Sequence, residues 1–130
     1  GKELIGYGMS TGVWFALQQP ATVKLVLKSD GTARLTSATA DIGPGTYTVM
    51  TIIAAEYLGI EPEKISFGLG DTKMPRAPVQ GGSWTTASVG SAVHGAAMKA
   101  KAQLLELANK RTDSPLAGLT SEQGVLEEGR

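Results

Sequence analysis

The period of the apolar positions changes several times along the chain, and each change marks an element. Val23, Leu25 and Leu27 alternate with Lys24 and Lys28, the period of a strand with one buried face. After Asp30-Gly31 the alternation resumes, with Ala33 and Leu35 set against Thr32, Arg34 and Thr36. That dipeptide suits a two-residue type I′ turn, where both positions take positive φ, so the stretch predicts a hairpin. Asp41-Ile42-Gly43-Pro44-Gly45-Thr46 then breaks the second strand, and Thr46 is placed to cap a helix. Residues 47–58 are apolar on nearly every face apart from Thr48, Thr51 and Glu56, which predicts a mostly buried helix. Gly59 is suited to end it in the left-handed conformation. Residues 65–69 read as a further strand. Beyond the irregular stretch 70–82, Ser83 is placed to cap a long helix reaching about residue 110. Its Val89, Val93, Ala96, Ala100, Leu104 and Leu107 recur at helical spacing. Residues 4–17, apolar but broken by three glycines, read as an irregular strand.

The element order predicts an α+β fold: a twisted, mostly antiparallel sheet with the two helices packed on one face. Residues 1–130 make one domain of ordinary size. With 42% hydrophobic residues a core is affordable and disorder is excluded. Twelve basic residues balance twelve acidic ones, so no basic stripe recommends nucleic acid or an anionic membrane as a partner. Without cysteine the chain has no disulfide, thiolate metal site or iron–sulfur cluster of its own. Gly1-Lys2-Glu3 resembles neither a signal peptide nor a natural start. Near the other end, Val125-Leu126 and Glu128-Gly129 read as a strand and turn lacking a partner strand. Both features lead us to expect part of a longer subunit.

Two stretches have the same form, a glycine-rich loop running straight into a helix: Gly43-Pro44-Gly45-Thr46 and Gly81-Gly82-Ser83-Trp84-Thr85-Thr86. A helix start offers unpaired N–H groups and the positive end of the peptide dipoles, and glycines let an anion approach the backbone. Either ordinary capping or an anion site, plausible for phosphate, accounts for that pattern. Neither loop carries a P-loop lysine or a G-x-G-x-x-G fingerprint. His94 is the lone histidine, without a second ligand at helical spacing, so it reads as a packed or solvated side chain. Met50, Met74 and Met98 read as core filler, and Asp41 and Asp71 as stabilisers of Asx turns. No nucleophile, base and orienting acid stand together.

The series Asp41-Ile42-Gly43-Pro44-Gly45-Thr46, Ile53-Ala54-Ala55-Glu56-Tyr57-Leu58-Gly59-Ile60, Gly70-Asp71-Thr72, Pro78, Gly82-Ser83 and Gly90-Ser91-Ala92-Val93 resembles one family in order and spacing. It is similar to the C-terminal molybdopterin-binding region of the molybdenum hydroxylases, the xanthine dehydrogenase/aldehyde oxidase family. The loop Ala77-Pro78-Val79-Gln80-Gly81-Gly82-Ser83 is most similar to the bacterial periplasmic aldehyde oxidoreductase branch.

The resemblance implies that Gly43, Pro44, Gly45 and Thr46 contact the pterin cofactor, and that Gly82, Ser83, Trp84, Thr85 and Thr86 hold its phosphate end. It implies molybdopterin cytosine dinucleotide with molybdenum in the full-length parent, which hydroxylates aldehydes or N-heterocycles with water as oxygen source. The implied partners are the rest of the subunit, iron–sulfur and FAD subunits or domains, and the small-molecule substrate.

Two departures from the family pattern stand out. Pro44 occupies the place of a glutamine whose amide reaches a ligand of the metal, and proline has no such donor. The family's general base, a glutamate in a G-x-G-E context, has no counterpart here, since Glu127 and Glu128 lack that context. No catalytic or metal-ligating residue is therefore assigned, and the isolated chain is expected to be inactive. A stand-alone anion- or nucleotide-binding module and a structural pairing domain are the competing readings. The compartment, cytoplasm or periplasm, is left open.

Overall fold

The computed structural model describes residues 2–15 and 17–110. Within them the chain forms strand β1 (Lys24–Leu27), strand β2 (Ala33–Thr36), helix α1 (Thr46–Leu58), a short 3-10 turn (Pro62–Lys64), strand β3 (Ile65–Gly68) and helix α2 (Thr85–Asn109). The expected α+β architecture is present, with a sheet in the order β1-β2-β3. The sheet is mixed: β1 and β2 are antiparallel, whereas β2 and β3 are parallel. Parallel neighbours need a crossover, and α1 is that crossover, which is why the two pairings differ.

Register explains where the core lies. Leu35 pairs with Leu25 on one side and Phe67 on the other, while Ala33 pairs with Leu27 and Ile65. These two rows point to the same face, and Leu35, Phe67, Ala33 and Ile65 are all buried. Met50, Ala54 and Leu58 of α1 and Val89, Val93 and Ala97 of α2 complete one cluster with them. Both helices thus cover one face of the sheet, and Arg34 and Ser66 on the other face are exposed. Where the helices cross, a Cβ on Gly90 would stand 3.0 Å from Ile53 Cδ1, so the close approach depends on the missing side chain.

Several local expectations need correction. The hairpin connection is a three-residue loop, since Lys28 and Thr32 pair and the Gly31 amide bonds back to the Lys28 carbonyl. Only Gly31 takes positive φ, at 79°. The Asp30 carboxylate accepts the Thr32 amide and hydroxyl, and this local bonding favours the looser turn over type I′. Residues 4–15 form no strand and lie exposed, with no strand pairing with them among the described residues. Helix α1 is buried on one side only, leaving Tyr47, Ile52 and Tyr57 in solvent. Met98, Leu104 and Leu107 on α2 are also exposed, since the three-stranded sheet is too small to cover a helix of 25 residues. Gly59 ends α1 as expected, at φ 72° with its amide on the Ala55 carbonyl. The strand expected around Val125-Leu126 lies outside the described residues.

Candidate functional site

The site follows from the topology. β2 runs through residues 37–45 into α1, and β3 runs through residues 69–84 into α2. Because β2 and β3 are parallel, both helices begin beyond the same, C-terminal, end of the strand pair. That is where open sheets of parallel strands place their ligands. Backbone bonds tie the second loop down: Gly70 N–H to Thr39 O, Ala38 N–H to Pro75 O and Thr22 N–H to Arg76 O.

Between the two helix starts lies a concavity of about 570 Å³. Pro44 and Thr46 wall one side, and Gly82, Ser83, Thr85 and Thr86 the other. Six of the nine residues singled out from sequence are thus brought together around one space. Gly43 and Gly45 belong to the first loop without lining it, and Trp84 lines a second groove, on the side of Arg76 and Pro78. Ile42, Gln80 and Gly81, which belong to the motifs read from sequence but were given no role, also line the concavity, as does Val49 of α1, which carried no signal. No ionisable side chain lines it among the described residues.

The two loops look equivalent in sequence but are electrostatically different. The Asp41 carboxylate, in the loop just before α1, accepts the Gly43 amide at 2.8 Å. That amide first, then those of Tyr47, Thr46 and Gly45, hold its pKa below the usual carboxylate value of 3.8. The positive end of α1 is therefore met by the protein's own anion. Asp71 makes a similar turn, accepting the Lys73 amide at 2.8 Å, so the Asx-turn reading holds for both aspartates. Neither helix has an acidic residue in its first turn, but no carboxylate lines the concavity beside Thr85 and Thr86 among the described residues, so the free amides of the α2 start meet no internal counter-charge there.

Neither hydroxyl expected to cap a helix does so. Gly45, at φ 85°, occupies the N-cap of α1, and Thr46 is already inside the helix. Trp84 occupies the N-cap of α2 with no side-chain cap bond. Ser83 sits one residue earlier at φ 60°, the only non-glycine residue at positive φ among the described residues. A serine held there costs about 1–2 kcal/mol, so its surroundings must impose the conformation. Thr85 donates its hydroxyl to Gln80 Oε1 at 2.6 Å, across the base of the loop. Pro44 precedes the N-cap of α1 and so lies outside the helix. His94 packs against Tyr57 with ring centroids 4.1 Å apart and the rings tilted by 41°, and no three of His, Asp and Glu gather anywhere among the described residues.

Residues 1–129 match the model of the molybdopterin cofactor-binding domain. The chain belongs to that family. Its 130 residues are 32% identical to the aldehyde oxidoreductase molybdenum-binding subunit PaoC of Escherichia coli K12, and they span only 16% of that protein's length. Carbon monoxide dehydrogenase, a copper- and molybdenum-containing enzyme, superposes with a TM-score of 0.70 at 25% identity over 78% of this chain and 13% of its own. Quinoline 2-oxidoreductase from Pseudomonas putida 86 shares the fold, with a TM-score of 0.66 at 22% identity over 78% of this chain and 12% of its own. As a molybdopterin-binding domain, the chain has residues that fit such a group. Its concavity mixes polar and apolar side chains and carries no charge among the described residues, and a Cβ at Gly81 on its wall would meet nothing within 4 Å, so the backbone there is open to close approach.

Proposed function

We propose that this chain is the part of a larger molybdenum hydroxylase subunit that grips the phosphate end of its pterin cofactor at the start of α2. One observation carries this reading: Thr85 and Thr86 at the start of α2 line a concavity with no ionisable side chain among the described residues, while the Asp41 carboxylate, bound to the Gly43 amide, stands just before α1 and has its pKa lowered in part by the Thr46 and Tyr47 amides. An anion placed there meets aligned amides and a helix dipole. The hydroxyls of Ser83 and Thr86 line the same space and add donors. Thr46 and Pro44 form the opposite wall, so the first loop shapes the site more than it binds charge.

The cofactor is taken to be molybdopterin cytosine dinucleotide, and when bound it supplies the redox chemistry for hydroxylating an aldehyde or N-heterocycle with oxygen from water. The chain's own role is to bind and orient. No titratable side chain lines the concavity among the described residues, so proton transfer falls to residues elsewhere in the subunit. The residues of this chain give no reason to expect the glutamine-type contact at Pro44. Exposed Leu4, Tyr7, Met9, Val13 and Phe15 form an apolar surface suited to cover by the rest of the subunit. Iron–sulfur and FAD partners complete the proposed assembly.

Molybdenum content provides the test. In the full-length subunit, Gly82→Val places a β-branched residue at φ 60° on the wall of the concavity and should sharply lower molybdenum per subunit at equal folded fraction. Molybdenum equal to wild type would reduce the loop to a helix start and refute the proposal.

A further inference from the structure

Both walls of the loop before α2 are tied by tryptophan. Trp84 donates its indole N–H to the Val79 carbonyl at 2.6 Å. Trp14, 68 residues away in sequence, donates its indole N–H to the Gly82 carbonyl at 3.0 Å. The arm that carries Trp14 then follows the first turns of α2. Gln18 donates to the Ala87 carbonyl at 3.0 Å and to Ser91 Oγ at 2.7 Å, and the Gln19 amide donates to Ser88 Oγ at 3.0 Å.

In a planar trans peptide, C=O and N–H point in opposite directions. Fixing the Val79 carbonyl therefore fixes the Gln80 amide, and fixing the Gly82 carbonyl fixes the Ser83 amide. Trp14 does not line the concavity, and Trp84 lines the groove on the far side of the loop, whereas Gln80 and Ser83 both line the concavity. Each indole thus holds one carbonyl of the loop, and with it the orientation of the next amide, at a residue that lines the concavity. The conformation needs such a hold, because Gly82 and Ser83 are both left-handed and Ser83 has a side chain.

We infer that the N-terminal arm is a clasp for this loop, with Trp14 as a positioning residue that keeps the Ser83 amide aimed at the bound anion. The inference rests on the reading of the loop as a phosphate cradle. The clasp explains a feature that cradle alone leaves unexplained: a tryptophan 72% exposed whose one polar atom is spent on a loop carbonyl.

The experiment uses the 130-residue chain, ¹⁵N-labelled, with inorganic pyrophosphate as probe. In wild type, millimolar pyrophosphate should shift the Gln80 and Ser83 amide resonances. Trp14→Phe keeps an aromatic ring at this exposed position and loses the indole N–H donor with the pyrrole part of the ring. It should weaken pyrophosphate binding about fivefold, the factor one hydrogen bond of ordinary net strength supplies, and raise fast backbone motion at residues 81–83. Gln18→Leu, which removes two bonds from the same arm, should loosen the loop in the same sense. The urea midpoint of each variant reports global stability, which a merely structural role would change without changing loop motion or anion affinity. Wild-type affinity and loop order in Trp14→Phe would overturn the clasp while leaving the cradle standing. Silence of the wild-type loop amides towards pyrophosphate would overturn the cradle, and the clasp with it.

Discussion

Two glycines of α2 allow helix propensity to be separated from helix packing. Gly95 is exposed, and a Cβ there would meet nothing within 4 Å; a Cβ on Gly90, which is buried, would lie 3.0 Å from Ile53 Cδ1 and 4.0 Å from Met50 Cε. Alanine improves on glycine by about 0.8–1.0 kcal/mol in a helix interior, so Gly95→Ala should stabilise the chain by about 1 kcal/mol. Gly90→Ala has the same backbone gain but must displace the Ile53 methyl towards a filled core, and overpacking costs about 1–3 kcal/mol. The net effect should run from neutral to about 2 kcal/mol destabilising. The two variants should therefore differ by about 1–3 kcal/mol, which at a slope near 2 kcal/mol/M displaces their urea midpoints by about 0.5–1.5 M. Equal stabilisation by both would show that α1 and α2 do not meet at Gly90, refuting the reasoning. The spacing also matters at the site, because Thr46 and Thr85, the first residues of the two helices, wall the same concavity.

Other predictions turn on single residues. Ser83→Gly should stabilise the chain by about 1 kcal/mol by relieving the left-handed serine, and Ser83→Ala should stay within about 0.5 kcal/mol of wild type; a loss of about 1 kcal/mol on removing the hydroxyl would restore Ser83 as a cap. Asp41 has a folded pKa below its ordinary 3.8. Its contribution to stability is therefore complete above 3.8 and is lost as pH falls through the lower folded value. Asp41→Asn should flatten the acid limb of a stability–pH curve without abolishing it, because the Thr32 hydroxyl and amide also lower the pKa of Asp30, and the Lys110 side chain that of Glu106. An acid limb identical to wild type would remove Asp41 from the start of α1.

What could be read from the residues was whatever depends on neighbours close in sequence. The alternation around Leu25 and Leu35 located β1 and β2, and Gly59 located the end of α1, because period and a left-handed glycine are local properties. The turn at Asp30 was misread for an equally local reason, since Thr32 offers the carboxylate two donors where a type I′ turn was expected. The parallel β2–β3 pairing was not legible, as a short strand such as Ile65–Gly68 has no pattern that states its direction. Residues 4–17 look like strand from their residues, yet residues 4–15 pair with no strand among the described residues.

The harder case is the pair of glycine loops. In sequence they present the same argument twice, a flexible approach to a helix start, and the argument is sound for each alone. What separates them is where a carboxylate ends up. Asp41 lies four residues before the N-cap of α1, and the turn through Gly43 brings its oxygen onto the Gly43 amide, so the loop that shares the motif is already satisfied. No acid precedes α2 at that spacing: position 80, four residues before the N-cap Trp84, is Gln80, and its Oε1 accepts the Thr85 hydroxyl. Aspartate in one loop and glutamine in the other make one start self-neutralised and the other open. Two helix starts therefore need not mean two anion sites, and Gln80→Asp offers the direct check. A carboxylate beside the Thr85 hydroxyl would repel an incoming anion, so the ¹⁵N-labelled chain should lose its response to pyrophosphate at Ser83 while α2 itself is retained. Undiminished binding in Gln80→Asp would mean that charge at the start of α2 does not govern the site.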